Sequence, residues 1–127
     1  MGKYLFFIVI VAFLIMVATI LVLRGNEDNW IKDSRGVWIK HGNPSQTPEK
    51  VLEQQEAINC SFDKFNNFKE EINSQCLGIC NDYAIDVVNN PRTEEDNLPA
   101  NQCSDFREGK VSHFIELDKE GNIIRIV

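Results

Sequence analysis

Positive charge is scarce in this chain. Thirteen Lys and Arg stand against nineteen Asp and Glu over 127 residues, a net charge of −6. All nineteen acids and eleven of the thirteen bases lie beyond Arg24, so that portion carries eleven minus nineteen, or −8. Such a surface lacks the basic face that engages phosphate, which excludes nucleic acid as a partner. An anionic lipid surface repels it as well. Histidine is limited to His41 and His113. There is no G-x-S-x-G, no H-E-x-x-H and no phosphate-binding glycine loop. Internal repeats and low-complexity tracts are also missing. With these absences go the catalytic sets that spacing alone reveals, and the chain reads as a non-enzyme with no cofactor and no metal.

The first feature present is one long apolar run. Tyr4 to Leu23 is twenty residues without a charge, a glycine or a proline. As a helix it is roughly 30 Å long, the thickness of a bilayer's hydrocarbon core. Residues 1–24 therefore read as a single transmembrane anchor in the lipid bilayer. Secretory signals have shorter apolar stretches followed by small residues at the cleavage site. The end of this run, Thr19-Ile20-Leu21-Val22-Leu23-Arg24-Gly25, offers no such site, so the expectation is a retained helix. It has no G-x-x-x-G and no ionisable residue, which leaves a plain anchor. Lys3, Arg24 and Trp30 fall where membrane-interface residues belong. Orientation is contested. Arg24, Lys32, Arg35 and Lys40 favour a cytoplasmic C-terminal side, whereas four cysteines favour an oxidising compartment. The expectation follows the cysteines and puts the C-terminal domain outside the cytoplasm.

Beyond the anchor, residues 25–48 read as a juxtamembrane hairpin and linker. Trp30-Ile31-Lys32 and Val37-Trp38-Ile39-Lys40 are β-prone around the turn Asp33-Ser34-Arg35-Gly36. Residues 49–127 make one small domain. Thr47 and Pro48 suit a helix start, and a first helix to about Ile58 follows. Phe62, Phe65 and Ile72 then mark a second helix to about Gln75, its stripe extending to Cys76. Tyr83 to Val88 reads as a strand, and residues 89–110 as a long polar loop, a length that is functional or disordered. Val111–Leu117 and Ile123–Val127 form a closing hairpin around Asp118–Asn122. His113 reads as an ordinary strand residue. The fold class expected is an N-terminal transmembrane helix followed by a small α+β domain: one or two helices, an antiparallel sheet of about three strands, and the extra Trp hairpin.

Cys60, Cys76, Cys80 and Cys103 are the chemically distinctive set, and four cysteines in a small exported domain read as two disulfides. A helix over 62–75 puts Cys60 and Cys76 roughly 20 Å apart, beyond bridging reach. Two schemes stay open: Cys60–Cys80 with Cys76–Cys103, and Cys60–Cys103 with Cys76–Cys80. A zinc site wants a second C-x-x-C knuckle, which is lacking. A redox pair wants an activated thiolate, whereas Cys76 falls at the expected helix's C-terminus, where the dipole opposes one. Asp118, Glu120 and Asn122 do not match a calcium loop, because Gly121 is fourth where the loop needs Gly sixth. Asp82 and Asp86 form a carboxylate pair no more distinctive than others.

Two stretches resemble known proteins. Gly36-Val37-Trp38-Ile39-Lys40-His41-Gly42-Asn43-Pro44 looks like a segment of small membrane-anchored proteins of no known function. The order helix, strand, long loop, strand and hairpin is similar to the potato inhibitor I family, and Glu116-Leu117-Asp118-Lys119-Glu120-Gly121-Asn122-Ile123-Ile124-Arg125 looks like that family's final hairpin. That resemblance implies a protease-binding loop at 89–110, although Cys103 departs from the pattern and no reactive-site residue carries over. The leading expectation is an anchored interaction or accessory domain with a protein partner.

Overall fold

The structure is a computed structural model and describes residues 2–25 and 28–127. The chain divides into two compact units. One holds the chain to Ile31 together with Lys40–Gln46; the other holds Lys32–Ile39 and Thr47–Val127.

In the first unit, helix α1 spans Gly2–Gly25. Its residues Gly2–Leu23 have a mean hydropathy of 3.3, long and apolar enough to cross a membrane. A signal sequence near an N-terminus passes the same test. Its large side chains are exposed on every face, as a lipid-facing helix requires. The Thr19 hydroxyl is satisfied within the helix, its Oγ1 donating to the Ile15 carbonyl at 2.6 Å. Strand β1 (Asn29–Lys32) pairs with β2 (Trp38–His41), giving the expected hairpin.

The second unit is built on helix α2 and a four-stranded sheet. α2 runs Glu49–Asn67 without a break, where two helices were expected. The expected gap between Ile58 and Phe62 is helical: Ser61 is buried in it and donates to the Ile58 carbonyl at 2.7 Å. Helix ends at Asn67, eight residues before the expected Gln75. The stretch taken as its extension is instead strand β3, Gln75–Cys80. Pairing along a sheet edge overrides the weak β-propensity of Gln-Cys-Leu-Gly-Ile-Cys. β4 (Tyr83–Val87), β5 (His113–Leu117) and β6 (Ile123–Ile126) complete the order β3-β4-β5-β6. The expectation of about three antiparallel strands is thus corrected to four, with β4 and β5 parallel. Parallel neighbours need a long crossover, and residues 88–112 supply it. That connection is not structureless. It holds 3-10 turns at Glu94–Asn97 and Pro99–Asn101 and one helical turn, α3, at Ser104–Arg107.

Strand alternation sorts the side chains onto two faces. Tyr83, Ile85, Ile115, Leu117 and Ile126 meet Ala57, Phe62 and Phe65 of α2 in the main core. Ala84 and Phe114 point the other way, with Cys76, Cys103, Val111 and Phe106. In β3 Cys76 and Cys80 face opposite sides because the strand bulges between Cys76 and Gly78. Cys76 pairs with Asp86 and Gly78 with Ile85, leaving Leu77 as the extra residue. Gly78 takes φ 105°, open to glycine and costly for other residues.

Both disulfides follow from that bulge: Cys60–Cys80, Cα atoms 5.9 Å apart, and Cys76–Cys103, 4.8 Å apart. This is one of the two schemes left open. Cys60–Cys76 is not formed, although the helix that argued against it ends before Cys76. Each bridge stabilises by about 3–4 kcal/mol in the chain-entropy view.

The tip of the Trp hairpin, which lies in this unit, is held by one buried amide. Gln54 is 2% exposed; its Oε1 accepts from Trp38 N–H at 2.8 Å and its Nε2 donates to the Gly36 carbonyl at 3.0 Å. Gln54→Leu keeps the volume and strands both backbone groups, so it costs about 2–3 kcal/mol. Urea unfolding of the full chain in detergent micelles measures this as a lower midpoint with unchanged slope. A loss below about 0.5 kcal/mol, typical of neutral surface changes, would show that Gln54 is not a clamp.

Candidate functional site

The polar face of the sheet, under the crossover, is where charge is concentrated. Strand register brings four side chains into one row: Cys76 beside Asp86, Asp86 beside Glu116, and Glu116 beside Arg125. Asp86 and Glu116 interrupt otherwise apolar strands, and alternation puts both on the face away from α2. Glu116 is 5% exposed. Arg125 grips it with two bonds of 3.1 Å, and Arg92 of the crossover donates to the same carboxylate. Arg125 also lies over the Phe114 ring, 5.0 Å from its centre. A buried carboxylate held by two guanidiniums positions its neighbours more than it stabilises the fold, since desolvation offsets much of the attraction.

Asp96 organises the crossover. One carboxylate oxygen accepts from the backbone and side-chain nitrogens of Asn89 at 2.8 and 3.0 Å, the other from Thr93 N–H at 2.7 Å. Burial opposes its charge, but the backbone donors of Thr93 and Asn89 outweigh that and hold its carboxyl below the ordinary range. The Cys76–Cys103 bridge ties the far part of the crossover to β3. Cys103 N–H also donates to Asp86 Oδ1 at 2.9 Å.

Between sheet and crossover is a cavity of about 150 Å³, lined among others by Asp86, Arg92, Phe106, Arg107, Phe114 and Arg125. Burial raises the Asp86 pKa to about 6. The Glu116 charge adds to the rise, while Cys103 N–H and Arg92 work against it. Cys76, Cys103 and Asp86 bring three metal-type ligand atoms within 4.8 Å of one another, but both sulfurs are spent in the disulfide.

The residues singled out from sequence fall in several places. The four cysteines close on this unit's two sheet faces, Cys60 with Cys80 and Cys76 with Cys103. Lys3 is exposed in the first turn of α1. Arg24 is in its last turn, and its side chain lies outside the described residues. Trp30 is 9% exposed; its indole N–H donates to the Gln46 carbonyl at 3.0 Å and Lys40 stands over the ring at 5.7 Å. It therefore offers little surface to a bilayer. His113 stacks on Tyr83, with ring centres 4.9 Å apart, as a strand residue. Asp118 accepts from the backbone N–H groups of Glu120 and Asn122, which makes it a turn residue. Glu116, Arg92 and Arg125 were not singled out. The available signal was a charged residue inside each of two apolar strands.

Comparison of the chain with protein-family models, curated proteins and solved structures finds no match.

Asp86 makes stability depend on pH. Its folded pKa of about 6 lies above the ordinary carboxyl value of 3.8, so folding favours the protonated form. That contribution is full below 3.8 and is lost as pH rises through about 6. Asp96 and Asp118, whose carboxyls are held low, act only at lower pH and in the opposite sense. Between about pH 4 and about pH 7 this group costs the wild-type chain up to about 2 kcal/mol, while Asp86→Asn, keeping an acceptor for Cys103, loses none of it. Urea midpoints across that window measure the difference; equal slopes in both chains would contradict the assignment.

Proposed function

We propose that this chain is a membrane-tethered domain, working outside the cytoplasm as an interaction or accessory module rather than as an enzyme. The observation that carries this reading is that both disulfides use up all four cysteines, one on each face of the sheet. Disulfides of this kind persist in oxidising compartments, and a small core gains from them. The apolar helix α1 supplies the tether. The acidic surface suits a protein partner and disfavours nucleic acid.

The inhibitor-like reading receives less support. A protease-binding loop presents an extended segment, whereas residues 94–107 are largely taken up in 3-10 and helical turns.

Labelling with a membrane-impermeant maleimide in intact cells tests compartment and cysteine state together. The expected result is no labelling before reduction, and labelling of all four cysteines when intact cells are first reduced with an impermeant phosphine and washed, and their recovered membranes are then denatured and exposed to the maleimide. Four thiols that react without reductant, and only after lysis, would overturn the proposal.

A further inference from the structure

The cavity beneath the crossover has partly unused chemistry on its walls. Glu116 is matched by Arg92 and Arg125, and Asp96 by the donors of Asn89 and Thr93. Asp86 has a bond on one oxygen only, from Cys103 N–H; among the described residues its other oxygen has no donor. Arg107 lines the same cavity, is exposed, and has no carboxylate partner among the described residues. The rings of Phe106 and Phe114, edge to face at 4.9 Å, give the cavity an apolar wall. An apolar cavity of about this volume holds a benzene-sized molecule, so the space suits roughly six to ten heavy atoms. A lone cation leaves Arg107 unmatched, and a lone anion leaves Asp86 unmatched and adds repulsion from it. A molecule with one charge of each sign satisfies both.

We infer that this cavity binds a small zwitterion of the free amino acid class, with Asp86 receiving its ammonium group and Arg107 its carboxylate. Charge-assisted bonds at both ends fix orientation, and the two phenylalanines contact the short carbon skeleton. This goes beyond the tethered-module reading and does not depend on which side of the membrane the domain occupies.

The test is a titration of the full chain, disulfides intact, in neutral detergent micelles at about pH 7, followed by amide resonances. L-threonine is the probe, with n-butylamine and butyrate as single-ended controls. Saturable shifts of the Cys103 and Phe106 amides are expected with threonine, and affinities at least about tenfold lower for each control. Asp86→Asn and Arg107→Gln each weaken threonine binding by about tenfold. Asparagine keeps the acceptor for Cys103 and Arg107 is exposed, so both chains fold, which the unperturbed remainder of the spectrum verifies. No saturable shift with threonine, equal binding of butylamine or butyrate, or unchanged affinity in both variants would overturn the inference.

Discussion

The bulge in β3 is the constraint on which the rest of the second unit depends. Cys76 and Cys80 are four apart, and in a regular strand they would share a face. The extra residue Leu77 and the positive φ of Gly78 shift the register, so Cys76 stands opposite Asp86 and Cys80 opposite Tyr83. Each cysteine then reaches a different layer: Cys80 bonds α2 through Cys60, and Cys76 bonds the crossover through Cys103. One edge strand therefore staples both coverings of the sheet. A pairing of Cys76 with Cys80 would release both.

The two faces are stabilised by different physics. The α2 face is a hydrophobic layer in which Ile85, Ile115 and Leu117 are fully buried, and it supplies the non-directional part of the stability. On the crossover face, charges come with assigned partners: buried Glu116 with two guanidiniums, buried Asp96 with backbone donors, and half-buried Asp86 with a single N–H. Such pairs contribute little net stability and much geometric definition. The crossover is thus positioned by polar contacts, one disulfide and the small apolar cluster of Phe106 and Val111 on Ala84 and Phe114, and the cavity beneath it keeps both its volume and its unmatched groups.

Much of the architecture is legible in the sequence. Uninterrupted apolarity marks α1, turn chemistry marks both hairpins, and spacing of Phe62 and Phe65 marks the face of α2. What sequence reasoning misses has local causes. Gln54 and Ser61 are polar residues on the buried stripe of α2, so its apolar pattern is interrupted and the one helix reads as two. β3 has poor β-propensity and is a strand because β4 pairs with it. The parallel join of β4 and β5 is a tertiary choice that alternation cannot disclose. At the candidate site, Asp86 and Glu116 each stand inside an apolar strand, which signals a buried polar face. Nothing local links them to Arg92 or Arg125, because strand register and the crossover make those contacts.

Taken together, α1 is long and apolar enough to cross a membrane, the disulfides reinforce a small core, and the acidic crossover layer carries the distinctive chemistry. The arrangement of the four cysteines joins these parts. Non-reducing peptide mapping of the chain isolated from its native source, with cleavage after Leu77 to separate Cys76 from Cys80, tests it most directly. The account predicts Cys60 linked to Cys80 and Cys76 linked to Cys103. Recovery of Cys60 linked to Cys103, with Cys76 linked to Cys80, would contradict it.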